Sequence, residues 1–79
     1  MKAYLWKLMN DTIEEVQDNL DWIPFSTRVE ANMRYSAISE ALTYMRGVVT
    51  TLYEVAGLSY GDWDLAYDIL MMIEEEAFN

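Results

Sequence analysis

The residues best equipped for chemistry in this chain are acids. Asp11, Glu14, Glu15, Asp18 and Asp21 follow one another at intervals of three, one, three and three. On a helix they span roughly 15 Å, about one carboxylate per 3 Å, near the 3.4 Å axial rise per phosphate of one DNA strand. Carboxylates so arranged can hold a divalent cation, oppose a basic surface on a partner, or simply solvate a helix face. Glu74, Glu75 and Glu76 form a second acidic group. Asp62, Asp64 and Asp68 hint at a calcium loop. That loop needs Gly at its sixth position and Glu at its twelfth, and here those are Tyr67 and Ile73, so calcium is not expected.

Other reactive groups are few. Histidine and cysteine are both absent, which removes the commonest general base and the thiol nucleophile. Ser26, Ser36, Ser39 and Ser59 have no activating base beside them in sequence, and no Gly-rich phosphate loop is present. Glu14-Glu15-Val16-Gln17-Asp18 resembles the first acidic half-motif of all-helical nucleotide pyrophosphohydrolases, a likeness of five residues. The resemblance implies Mg²⁺ held between facing helices, with an E-x-x-D pair on the second. Glu30 is followed at that spacing by Met33, and Glu40 by Thr43, so the pair is missing. The expectation is a protein that is not an enzyme and uses neither metal nor cofactor.

Composition narrows the partners. Fourteen acids oppose five bases, a formal charge of −9. Nucleic acid and anionic membranes both require a basic footprint, so neither is expected as a direct ligand. Hydrophobic residues make up 53% of the chain, too many for a disordered segment. Seventy-nine residues allow one small domain, 1–79, whose modest core needs good packing, a staple or self-association. The Met1–Lys7 stretch superficially resembles the start of a signal peptide. Asn10, Asp11, Glu14 and Glu15 follow at once, with no long apolar run. A soluble, cytoplasmic protein is expected, consistent with the lack of cysteine.

The elements that must position these acids are helical. Thr27-Arg28-Val29-Glu30 is a capping box, preceded by Pro24. Ala31, Tyr35, Ile38, Leu42, Met45, Val49, Leu52 and Ala56 then recur at spacings of three and four, and Gly57 suits a left-handed C′ position. The spacing predicts one long central helix over 27–56. At 1.5 Å per residue it would measure roughly 45 Å, against a diameter near 30 Å for a compact chain of this size. Either it kinks at Gly47, or it protrudes and meets a partner. Its back carries small residues, Ser39, Thr43, Gly47 and Thr51, with Ser36 and Thr50 beside them. That pattern suits a weakly polar solvent face or a groove for a second backbone.

A first helix is predicted over about 2–20. Met9, Ile13, Val16, Leu20 and Ile23 form its core stripe, and the five acids lie opposite. Trp22, Ile23, Pro24 and Phe25 crowd the turn that follows. They are expected to plug one end of the protein, the alternative being a surface anchor. Ser59 and Asp62 form a looser capping box that opens a third helix over about 60–77. Trp63, Ala66, Leu70, Ile73 and Ala77 make its stripe, while Leu65, Ile69 and Met72 flank one side and Tyr67, Met71 and Phe78 the other. That exceeds what two neighbouring helices can cover, which predicts an interface. Glu74–Glu76 close the helix with the unfavourable sign for its dipole.

The expected fold class is all-α, a three-helix bundle with a long central helix, homodimeric. The expected function is a non-catalytic, protein-binding inhibitor that mimics nucleic acid and blocks a basic groove of a nucleic-acid-binding enzyme or complex. Size, charge and lack of catalytic residues are similar in type to small phage-encoded anti-CRISPR and anti-restriction proteins. Asp11, Glu14, Glu15, Asp18 and Asp21 would form the mimic face, with Glu74, Glu75 and Glu76 as a second patch. The alternative is a homo-oligomeric interaction module, such as an antitoxin, immunity or assembly protein. It would act through Tyr67, Met71 and Phe78 and the small-residue groove of Ser39, Thr43 and Gly47.

Overall fold

Local signals set the helix ends. The structure, a computed structural model, describes residues Met1–Phe78. Among them lie three α-helices and no strand: α1 (Lys2–Trp22), α2 (Arg28–Val55) and α3 (Tyr60–Phe78), with a short 3₁₀ turn at Ile23–Phe25 between the first two. Thr27 caps α2, its hydroxyl accepting from the Glu30 amide at 3.2 Å. The reciprocal bond from the Thr27 amide to the Glu30 carboxylate is not formed among the described residues, so only half of the expected box is made. At the other end Gly57 takes φ +78°, which an L side chain resists. The Ala56 and Leu58 amides then both reach the Leu52 carbonyl, each at 3.1 Å. Ser59 opens α3 with a two-way link: its hydroxyl accepts from the Asp62 amide at 3.1 Å and donates to the Asp62 carboxylate at 3.0 Å.

α1 runs two residues beyond its expected end. Pro24 accounts for this, because it sits in the 3₁₀ turn and leaves the last turn of α1 intact. The turn is fastened from α2, where Arg34 donates to the Ser26 hydroxyl at 3.2 Å and to the Asn19 side-chain carbonyl at 3.3 Å.

α2 is the spine. It is unbroken at Gly47, and its 28 residues match the 43 Å long axis of a molecule only 20 × 16 Å across. The kink alternative is therefore set aside. The radius of gyration is 13.6 Å, against about 12 Å for a compact chain of this length.

One core joins all three helices. Leu5, Met9 and Val16 of α1 meet Ile38, Leu42, Met45 and Val49 of α2 and Ala66, Leu70 and Ala77 of α3, with Leu58 closing one end. Tyr35 meets Phe78 at a ring separation of 5.7 Å, and Tyr53 meets Tyr60 at 6.2 Å, so α2 and α3 run antiparallel. Two expected stripe residues are exposed. Ile13 lies at the edge of the α1 stripe, and Ala56 falls just beyond the end of α2. No buried side-chain polar atom lacks a partner among the described residues.

The crowded turn departs from expectation. Trp22 and Phe25 do not plug the protein: they are 58% and 81% exposed and stack edge-on at 6.4 Å. Only Ile23 packs against the core. The 3₁₀ geometry is the reason, since about three residues per turn carries Ile23 inward and Phe25 outward.

Candidate functional site

α1 positions its acids by simple periodicity. Because Leu5, Met9 and Val16 face the core, residues half a turn away must face solvent. Asp11, Glu14, Glu15, Asp18 and Asp21 are all exposed. Four of them, Asp11, Glu14, Glu15 and Asp18, line one open depression together with Asn19, Trp22 and Arg34. Asp21 stands apart and accepts from the Gln17 side chain at 2.8 Å. Lys7 approaches Asp11 at 4.0 Å, and among the described residues it is the only cation within ion-pair reach of these five acids.

Arg34 and Trp22 were not foreseen at this site. The Arg34 guanidinium lies 6.0 Å from the Trp22 ring centroid. Trp22 follows Glu15 and Asp18 by seven and four residues, a same-face signal that was present in the sequence but obscured by assigning Trp22 to the turn. Arg34 reaches the depression from α2, which no spacing within one helix reveals.

The C-terminal acids divide. Glu74 is half-buried and pairs with Arg46 of α2. Glu75 and Glu76 are exposed. Glu74 and Glu75 line a second open depression with Asp68, Met71, Met72 and Phe78, whereas Glu76 does not. Acids and exposed apolar groups thus share a single surface on α3. Tyr67 is half-buried and packs on Trp63 at 5.3 Å. Met71 accepts from the Arg46 guanidinium through its sulfur at 3.5 Å.

Small residues on α2 open a third depression. Thr43, Gly47 and Thr51 line it with Tyr4, Tyr44, Val48 and Leu52, and Ser39 lies outside it. A Cβ built on Gly47 would meet nothing within 4 Å, so no second backbone of this chain lies against it. Tyr4 and Tyr44 were missed, because neither belongs to a core stripe and their proximity arises from the packing of α1 on α2.

Among the described residues no three Asp or Glu side chains converge to hold a metal ion, and no helix is long and apolar enough to cross a membrane. The fold and surfaces define an all-helical protein with open, exposed faces. Compared with known proteins, the chain matches no family model, no curated protein and no solved structure.

Proposed function

We propose that this chain is a non-catalytic inhibitor that binds another protein, presenting α1 as a nucleic-acid mimic to the basic groove of a nucleic-acid-binding enzyme or complex. Anti-CRISPR and anti-restriction proteins are the types of inhibitor it would join. The observation that carries this reading is the outer face of α1: five exposed carboxylates, of which only Asp11 has a cation within ion-pair reach. Unpaired like charges on one face repel one another, and a cationic partner relieves that repulsion while speeding encounter. Trp22, exposed beside the acids, adds an apolar anchor of the kind that dominates protein interfaces. Single exposed carboxylates contribute little, so the acids act as a group.

The test is capture of partners from host lysate at low and at raised salt, followed by assay of the captured enzyme's nucleic-acid binding. The expected partner is a nucleic-acid-binding enzyme, released by salt and displaced by oligonucleotide. The combined Asp11→Lys, Glu14→Lys and Glu15→Lys variant should fail to capture it. Retention by that variant, or a partner indifferent to oligonucleotide, would refute the mimic.

A second reading is favoured by α3, where Leu65, Met71, Met72 and Phe78 are all exposed. It makes the chain a homo-oligomeric interaction module, an antitoxin, immunity or assembly protein, and in particular a homodimer. Met-rich apolar surface suits protein contact. Charging Met71 or Phe78 would abolish function under this reading and spare it under the first.

A further inference from the structure

α3 carries six acids and not one lysine or arginine. Two of the six are paired within the chain, Asp62 with Lys2 and Glu74 with Arg46. Asp64, Asp68 and Glu75 have no cation within ion-pair reach among the described residues. These three share one stripe with Met71 and Phe78, because the five residues are spaced four, three, four and three apart. All five are exposed, and Met72 stands exposed beside them.

We propose that this stripe of α3 is a docking site for a cationic amphipathic helix of another protein. That helix lays apolar side chains on Met71, Met72 and Phe78 while its lysines or arginines meet Asp64, Asp68 and Glu75. The proposal is independent of the α1 mimic, and it gives the Met71 surface an occupant other than a second copy.

The chain supplies its own example of the contact. One guanidinium nitrogen of Arg46 donates both to the Met71 sulfur, at 3.5 Å, and to the Glu74 carboxylate. Met71 and Glu74 lie three residues apart and line the same open depression. Met72 and Glu75 repeat that spacing one residue further on and line it too, with no cation of this chain in reach. A thioether beside a carboxylate at this spacing thus receives a guanidinium once within the molecule, and the second pair presents the same groups outward.

Charge and spacing select the occupant. A second copy laid on the stripe by its own α3 would set carboxylate against carboxylate in every register and either direction, since α3 holds no cation. A single metal ion does not fit either, because no three acids converge among the described residues. From Asp64 to Glu75 is about 16 Å along the axis, so the ligand's charges must be spread as these are. A helix alongside α3 spreads them at the same period, with cations four and seven residues apart opposite Asp64, Asp68 and Glu75. The flexible methionines between the acids adapt to varied apolar side chains.

The probe is a synthetic amphipathic peptide of leucine and lysine, with lysines at those spacings, titrated into the full chain by calorimetry and methionine-methyl NMR. The expected result is binding that moves the Met71 and Met72 methyl resonances and leaves Met33, exposed on α2, in place. The Asp68→Lys, Glu75→Lys double variant should weaken it roughly tenfold or more, with helix content retained because both positions are exposed. The Asp11→Lys, Glu14→Lys, Glu15→Lys variant should bind within about twofold of the natural chain. Absence of binding, or Met71 and Met72 methyls that stay in place, overturns the site. Equal binding of a scrambled peptide of the same composition also overturns it, as does equal weakening by the α1 variant, which leaves only general attraction to a charge of −9. Met71 and Met72 shifts that grow with protein concentration in the absence of peptide would make the occupant a second copy and overturn it as well. None of these outcomes touches the α1 mimic, whose partner is captured by other residues.

Discussion

The Arg46 guanidinium on α2 reaches the Glu74 carboxylate on α3, and both side chains are partly withdrawn from water. Their pairing separates Glu74 from its exposed neighbours Glu75 and Glu76. Glu74 is held as part of the α2–α3 contact, while the other two remain free to act on a partner or on solvent. Lys2 and Asp62 join α1 to α3 at 3.6 Å with Lys2 largely exposed, which makes a weaker link.

Removing Arg46 should therefore be felt in stability. Arg46→Ala is expected to cost about 1 kcal/mol, from loss of the charge-assisted bond to Glu74 and of the guanidinium's contact with the Met71 sulfur. Glu75→Gln and Glu76→Gln should be neutral or slightly stabilising, because each removes a negative charge from the C-terminal end of a helix. Urea denaturation of the three variants checks the contrast.

The glycines should respond with opposite signs. Gly47 lies inside a continuous helix with open space around it, so Gly47→Ala should stabilise the folded chain by about 0.5–1 kcal/mol. Gly57 holds φ +78°, so Gly57→Ala should destabilise by about 1 kcal/mol or more. Thermal unfolding at low protein concentration, where self-association does not contribute, measures both.

Leu42 marks the centre of the core, with 1% of its surface exposed. Leu42→Ala is expected to cost about 2–5 kcal/mol. Stability in proteins runs at about 0.05–0.15 kcal/mol per residue, or roughly 4–12 kcal/mol for a chain this long. That single truncation should remove a large fraction of the total. Val55→Ala, on the exposed face of the same helix, should stay within about 0.5 kcal/mol when the chain is dilute. Denaturation midpoints decide.

Salt should move the two proposed associations in opposite directions. Capture of a basic partner by the α1 acids weakens as ions screen the attraction. Two copies that each carry a charge of −9 repel, so screening should strengthen the dimer. Sedimentation at about 0.05 M and about 0.5 M salt, beside capture at the same concentrations, reads both signs.

Much of this architecture is local in origin. The Thr27 and Ser59 caps, the left-handed Gly57 and the three-four spacing of Ile38, Leu42, Met45 and Val49 act within a few residues of themselves. The helices consequently appear within two residues of where those signals put them. The outward acids of α1 were legible for the same reason, because a helix that buries Leu5, Met9 and Val16 has its opposite face determined by periodicity alone. Trp22 was expected in the turn, but α1 continues through it to the 3₁₀ turn that holds Pro24.

What the sequence alone determined, then, was the number of helices, their ends, their buried stripes and the acidic face of α1, since each follows from hydrogen bonds and spacings along one segment. Tertiary structure decided the rest. Arg46 withdraws Glu74, Arg34 enters the acidic depression, Phe25 turns to solvent, and Val29, Tyr44 and Val55 of α2 are left exposed. Those outcomes depend on how each helix is rotated and slid against its neighbours, and that placement is set by side-chain packing between segments distant in the chain.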